Sequence, residues 1–194
     1  MEIKMKSLKK LTTLSLSLIV IVSSNVFAEP TKKETYDFIA NKTAINADGA
    51  WFNTSGDHEG ISTKLTASED MCRLTYTTEI YDSSKRLLSS EIEEIDLKQA
   101  NPKTIEYAKA TDLTLNFYRR NFGLVRIDTF EKKPLISYKK IVTEQGKINS
   151  SYNKDSTRNK SLLQLLTQDY DSAQRVVKAF KHLVSLCGGK DELF

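Results

Sequence analysis

The sequence predicts an α+β fold, in which a curved antiparallel sheet or partial barrel of about six to seven strands lies between a short N-terminal helix and a C-terminal helix packed on the sheet. Two observations predict it. Short segments rich in β-branched and aromatic residues fill the middle of the chain, and the helix-type spacing of apolar residues is found near its ends. Because a run of antiparallel strands must cover its apolar face, we expect the C-terminal helix to close the sheet.

Residues 1–28 have the pattern of a secretory signal peptide. Four lysines within the first ten residues precede the apolar run LTTLSLSLIVIV, and the pattern VFA ends at Ala28. The run is too short for an ordinary membrane span, which needs about 20 apolar residues. We therefore expect cleavage after Ala28, a single globular domain over residues 29–194 with no transmembrane segment, and a periplasmic or secreted location. The alternative is an uncleaved N-terminal anchor.

Both predicted helices carry capping signals. TKKETYDFIANKTA has Thr31 at the N-cap and Glu34 three residues later, which is the spacing of a capping box. DSAQRVVKAFKHLVSLCGG begins with Asp171 as N-cap and Gln174 three residues later, and its glycines stand where a helix ends. The sequence thus predicts a helix at each end of the strand region.

Short, partly alternating segments predict the strands. They are GISTKLTAS (60–68), MCRLTYTTEIY (71–81), RLLSSEIEEIDL (86–97), DLTLNFY (112–118), GLVRIDTF (123–130) and LISYKKIV (135–142). NKSLLQLLTQ (159–168) fits a helical turn as well as a strand, and we favour a last strand. The polar region 144–160 predicts a hairpin tip.

The two cysteines of the chain, Cys72 and Cys187, predict one disulfide. Cys187 falls on the apolar stripe of the C-terminal helix, and Cys72 shares a strand face with Leu74 and Tyr76. In an oxidising compartment a single pair of thiols most simply forms a bridge, which would pin the helix over the sheet. The alternative is two buried free thiols.

The run A-x-R-V-V-K-A-F-K-H-L-V-S-L-C-G-G, from Ala173 to Gly189, carries a resemblance. It resembles the C-terminal helix of small exported bacterial proteins of unassigned function. The order of a curved sheet followed by one helix is similar to pleckstrin-homology-like domains, in which a C-terminal helix plugs an open barrel. The resemblance implies an architecture, and it implies no binding residue or activity, because a fold alone assigns neither.

Charge and motif content argue against several classes of function. Without residues 1–28 the chain has 25 basic and 24 acidic residues, and a net charge of +1 gives no overall attraction to nucleic acid. The sequence contains no phosphate-binding glycine loop, no G-x-S-x-G and no H-x-x-H. His58 stands in the polar segment SGDHEG, and His182 is expected to face solvent. We therefore expect no enzyme, no cofactor and no metal.

Two surfaces are candidates for binding a partner. Residues 119–140 alternate basic with aromatic residues, although the solvated face of ordinary strands explains the same charges. We also predict a loop at INADGAWFNTSGDHEG, which carries the only tryptophan of the chain. The tryptophan either contacts a partner or packs the loop against the core. The candidate partner-binding residues are Trp51, Phe52, Arg119, Arg120, Lys132 and Lys133.

The acidic stretch EIEEID, residues 91–96, has two interpretations. Its carboxylates either pair with the basic strands within the fold or form part of a partner interface. Neither interpretation assigns chemistry to the stretch.

Three hypotheses of function follow. The first is an exported, non-enzymatic interaction module with a protein partner, of the kind that protects its producer from a toxin in the periplasm. The second is a carrier of a small apolar ligand inside the barrel, which predicts an apolar cavity. The third is a hydrolase of envelope polymers, which predicts two carboxylates facing one cleft.

Overall fold

The computed structural model describes residues 28–45, 51–54, 57–109, 123–144, 147–165 and 170–189. Its elements are α1 (Lys32–Thr43), β1 (Trp51–Thr54), β2 (Asp57–Ala67), β3 (Arg73–Tyr81), β4 (Leu87–Asp96), β5 (Glu106–Lys109), β6 (Gly123–Asp128), β7 (Ile136–Glu144), β8 (Lys147–Ile148), β9 (Lys154–Arg158), β10 (Lys160–Leu165) and α2 (Tyr170–Leu186). The predicted α+β fold is confirmed.

The described strands form two antiparallel sheets. The larger sheet has the order β1-β2-β3-β4-β7, and β7 pairs on its other side with both β8 and β9. The smaller sheet has the order β10-β6-β5. Among the described strands no pairing joins the two ends of the larger sheet, so it does not close into a barrel.

The chain passes from one sheet to the other at Asn159. This residue stands between β9, which pairs with β7, and β10, which pairs with β6. The Asn159 carbonyl oxygen accepts hydrogen bonds from the backbone N–H of Thr129 at 2.9 Å and from its Oγ1 at 3.2 Å. Thr129 directly follows β6 and so ties the crossing point to the smaller sheet.

α1 begins with the predicted capping box. The Thr31 side chain accepts a hydrogen bond from the backbone N–H of Glu34, and the Glu34 carboxylate accepts one from the backbone N–H of Thr31. This arrangement satisfies two N–H groups that a helix start would otherwise leave unpaired. Ile39, which is fully buried, then anchors the helix in the core.

α2 confirms the predicted C-terminal helix but begins two residues earlier than an N-cap at Asp171 predicts. It starts at Tyr170, so Asp171 lies in its first turn and the prediction of Asp171 as N-cap was wrong. An acidic residue stabilises a helix both at the N-cap and in the first turn, where it interacts with the helix dipole. The sequence pattern is therefore the same for the two positions. Gly188 ends the helix with φ of +75°, the left-handed conformation expected of a C-terminal glycine.

One apolar core lies between the larger sheet, the smaller sheet and the two helices. α2 packs on α1, on β5 and β6, and on the turns at Leu97–Gln99 and Pro102–Thr104. The largest side chains that are fully buried are Phe180, Ile39, Leu74, Ile95, Leu97, Ile105, Leu124, Ile127, Ile136, Leu163, Leu165 and Leu183. Cys72 and Cys187 lie at the edge of this core, with their Sγ atoms 2.09 Å apart, at disulfide distance.

The sequence interpretation misplaced two segments. Trp51 and Phe52 belong to the edge strand β1, paired with Gly60 and Glu59 of β2, and do not lie on a loop. The polar region 144–160 contains β8 and β9 in addition to a turn, so it extends the larger sheet. Register with a neighbouring strand supplies the backbone hydrogen bonds, and a polar edge strand needs no apolar face to obtain them.

Two sequence predictions lie outside the described residues. These are the strand DLTLNFY (112–118) and the signal peptide up to residue 27. Within the part of the chain that the structure describes, neither helix is long and apolar enough to cross a membrane.

Candidate binding groove

A groove of about 580 Å³ opens on the inner face of the larger sheet, beside the point where the chain changes sheets. We call it the charged groove. Its lining residues come from β3, β4, β9, β10 and the turn after β6, and they are Tyr76, Thr78, Glu91, Glu93, Lys132, Pro134, Thr157, Arg158, Asn159, Lys160 and Leu162. This volume falls in the range of sites for small ligands.

The alternation of β4 explains why the groove is polar. Glu91 and Glu93 point to the same face of the sheet as the buried Ile95, because side chains on a strand alternate. The inner face therefore changes from apolar at Ile95 to acidic at Glu93 and Glu91. Core packing covers the apolar end, and the acidic end forms the floor of the charged groove.

Glu93 is the most buried charged group of the floor, with 8 % of its surface exposed. Its Oε1 accepts a hydrogen bond from Arg158 Nη1 at 2.9 Å, and its Oε2 accepts one from the Ser161 hydroxyl. Desolvation by burial raises the pKa of Glu93, because it outweighs the Ser161 hydroxyl and the Arg158 guanidinium, which favour the ionised form. Both carboxylate oxygens are thus occupied by groups of the protein.

Arg158 reaches Glu93 across the intervening strand β7. Its guanidinium carbon lies 3.2 Å from the centre of the Tyr138 ring, and Tyr138 is the residue directly opposite Glu93 in the sheet. A guanidinium stacked on an aromatic face gains a cation–π interaction and loses rotamer freedom. Tyr138 therefore holds the cation in place above the floor of the groove.

Glu91 forms the second ion pair of the floor. Lys140 Nζ lies 3.0 Å from Glu91 Oε1, and the two residues stand opposite each other on β4 and β7. This pair confirms the prediction that the acidic stretch meets a basic strand within the fold. Cross-strand pairs of opposite charge stabilise the sheet.

Two lysines flank the open side of the charged groove. Lys132 closes the turn Phe130–Lys132 with φ of 54°, and Lys160 begins β10. Both are exposed, and among the described residues no carboxylate oxygen lies within 4.0 Å of either ammonium group. By contrast, Lys133 is paired with Glu131 at 2.5 Å.

The structure brings only part of the predicted binding set to this groove. Lys132 lines it, and Lys133 follows directly at the end of the same turn. The backbone of Trp51 and Phe52 belongs to the far edge of the larger sheet, and their side chains lie outside the described residues. Arg119 and Arg120 also lie outside the described residues. The binding role of all six stays a prediction.

The residues that organise the groove were missed by sequence reasoning. Arg158 and Ser161 stand in segments read as a polar hairpin tip and an ambiguous strand, and Glu93 was one of several acids in a row. One signal was present, since Glu93 shares its strand face with Ile95 and not with Glu94. A carboxylate on an apolar face is a buried acid that must find partners.

A second groove of about 570 Å³ lies between the N-terminal segment and the two helices. It is lined by Ala28, Pro30, Glu34, Thr35, Phe38, Lys178, Ala179 and His182. His182 is half-buried there, and its Nε2 donates a hydrogen bond to the Pro30 carbonyl oxygen at 2.9 Å. His182, which was expected to face solvent, is thus partly exposed, and its ring contacts the segment before α1.

Metal binding has no candidate site in the described ranges, where no three His, Cys, Asp or Glu side chains come together.

No protein-family model, curated protein or solved structure matches this chain. The fold and the groove together define an α+β protein with a charged groove at the junction of two sheets.

Proposed function

We propose that this chain is an exported, non-enzymatic binding protein and that the charged groove is where it binds a protein partner. The observation that carries the proposal is the fixed charge pattern of the floor, where Glu93 is held by Arg158 and Ser161 from two different strands. A floor whose charges are already positioned loses little entropy when a partner binds. Protection of the producing cell against a toxin is the role that we assign to such a module.

Export is supported by two independent features. The N-terminal pattern is that of a signal peptide, and Cys72, just before β3, lies at disulfide distance from Cys187, just after α2. Stable disulfides form in oxidising compartments and are rare in the cytoplasm. We therefore assign the protein to the periplasm or the medium.

The engagement of the acidic groups favours binding over catalysis. A general acid or base must be free to exchange a proton with a substrate, whereas both oxygens of Glu93 and Oε1 of Glu91 already meet protein groups. The apolar-carrier hypothesis gains no support from this groove, because five of its eleven lining residues are charged and only Pro134 and Leu162 are aliphatic.

Hydrolysis of an envelope polymer is a second candidate, favoured by one observation. Glu91 and Glu93 line the same groove, and two residues along a strand are about 6.6 Å apart. Glycosidases use two carboxyl groups at comparable separations. Release of soluble fragments from purified cell-wall material by the wild type, and none by Glu93→Gln, would favour this candidate. No release by the wild type removes it.

Capture from cell-envelope extract tests the binding proposal. The wild-type protein, purified from its host, is the bait, and Asn159→Trp is the variant that fills the groove from an exposed lining position. Glu94→Trp is the matched control, because Glu94 is exposed on the opposite face of β4. We expect one protein to be retained saturably at moderate salt by the wild type and by Glu94→Trp, but not by Asn159→Trp. Retention of none, or equal retention by all three, contradicts the proposal.

A further inference from the structure

We propose that the charged groove accepts an acidic peptide segment of its partner, with the carboxylates of that segment paired to Lys132 and Lys160. This inference rests on the proposed binding function and names the chemistry that the groove selects.

The charges of the groove are unequal. Glu91 and Glu93 are matched by Lys140 and Arg158 at 3.0 and 2.9 Å. Lys132 and Lys160 then remain as two further cations that line the same groove, with no carboxylate oxygen of the described residues within 4.0 Å. A ligand that complements this pattern carries negative charge.

The two lysines are held on one wall by the backbone. Lys132 donates its N–H to the Thr129 carbonyl oxygen at 3.1 Å, and the Thr129 N–H donates to the carbonyl oxygen of Asn159, the residue before Lys160, at 2.9 Å. Because Thr129 connects both segments, the distance between the two lysine backbones is fixed by the fold. Two carboxylates at a matching spacing on one peptide would therefore bind together, and the second pairing would benefit from the first.

The apolar lining indicates a peptide more than a simple anion. Pro134 and Leu162 line the same groove, and they offer contact surface to apolar side chains that stand between acidic ones. A nucleic-acid backbone needs cations spaced along an extended surface, whereas here two unpaired lysines stand beside two glutamates.

An NMR titration tests the inference with a defined probe. The probe is the blocked hexapeptide Glu-Leu-Glu-Glu-Leu-Glu, added to the full ¹⁵N-labelled protein with its cysteine pair oxidised. Its control is the same peptide with glutamine at every glutamate. We expect saturable shifts of the Lys132, Asn159 and Lys160 amides with the acidic peptide, weaker binding as salt rises, and no such shifts with the glutamine peptide.

Matched variants assign the effect to the two lysines. Lys132→Gln/Lys160→Gln should weaken binding of the acidic peptide by about five-fold or more, the effect of losing two solvent-accessible ion pairs. Lys64→Gln/Lys139→Gln removes the same charge from exposed positions that do not line the groove, and it should leave the affinity unchanged. Circular dichroism checks that both variants remain folded.

The two proposals fail in different ways. No amide shifts in the groove, equal shifts with the glutamine peptide, or unchanged affinity of Lys132→Gln/Lys160→Gln overturns the acidic-segment inference. The binding function itself survives that result if envelope capture still depends on Asn159. If the wild-type protein captures no partner from envelope extract, the proposed function is refuted, whether or not the acidic peptide binds.

Discussion

Glu93 on β4 and Arg158 on β9 form an ion pair that spans the strand between them, with Glu93 Oε1 2.9 Å from Arg158 Nη1. The guanidinium rests on the ring of Tyr138, which belongs to that intervening strand. The pair therefore fastens β9 to the sheet just before the chain turns into β10. The same contact fixes the floor of the charged groove, so stability and the proposed binding depend on one cluster.

The burial of Glu93 predicts a particular pH dependence of stability. Its pKa in the folded protein is raised above 4.5, the ordinary value for a glutamate side chain, so folding favours the protonated carboxyl. The contribution of protonated Glu93 to the stability of the fold is fully present below the pKa that Glu93 has in the unfolded chain. It is lost as the pH rises through the pKa that Glu93 has in the folded protein. Glu93→Gln stays neutral, and it should therefore gain stability relative to the wild type between pH 4 and 7 in urea unfolding experiments. Parallel pH profiles would contradict this, and Glu94→Gln serves as the exposed control.

The energetic coupling between Glu93 and Arg158 can be measured with a double-mutant cycle. Glu93→Gln and Arg158→Met, alone and combined, should give a coupling of about 1.5–3 kcal/mol at pH 7, as for a hydrogen bond to a charged group. Met retains a long apolar stem over Tyr138. The exposed pair Glu131 and Lys133 should show a coupling of about 0.5 kcal/mol or less in the same urea experiment. Equal coupling in both pairs would show that burial adds nothing to the Glu93 contact.

Cys72 and Cys187 are predicted to form a covalent bond. Intact mass with thiol alkylation should show two labelled thiols only after reduction. The bond would close a loop with a sequence separation of 115, so Cys72→Ser/Cys187→Ser should lose about 4–5 kcal/mol of unfolding free energy in the chain-entropy model. Reduced wild type is the matched control and should be similarly destabilised. Labelling of both thiols without reduction would refute the bond.

The two glycines after α2 should respond differently to alanine. Gly188 has φ of +75° and no atom within 4 Å of an added Cβ, so Gly188→Ala carries only the backbone cost of about 1 kcal/mol. A Cβ on Gly189 would lie 2.2 Å from Val184 Cγ1 and 3.0 Å from the Val184 carbonyl oxygen. We expect Gly189→Ala to cost about 2–3 kcal/mol in thermal or urea unfolding, as overpacking does. The reverse order would contradict this packing of the helix end.

Segments with a clear apolar period could be predicted from the sequence. β3 and β4 alternate, α2 has a continuous apolar face, and α1 has its capping box, so each was found to within a few residues. β9 was missed because KDSTR contains no apolar residue, and only its register with β7 makes it a strand. The resemblance to pleckstrin-homology-like domains stays a prediction.

The charged groove could be predicted only in part. The sequence identified Lys132 as a candidate binding residue and residues 91–96 of β4 as an acidic stretch. The partners of Glu93 could not be inferred, because Arg158 and Ser161 stand 65 and 68 residues away along the chain. Contacts at that separation depend on the way the chain changes sheets at Asn159, and no local pattern encodes that change.

Cross-linking inside the producing cell tests the central claim, that the charged groove is occupied by a partner, most directly. A photoreactive phenylalanine analogue replaces Asn159 in the groove or, as a control, Glu94 on the opposite face. The account predicts a discrete adduct from position 159 that is absent from position 94, and that weakens when Lys132 and Lys160 are changed to glutamine. No adduct from position 159, or the same adduct from both positions, would contradict the account.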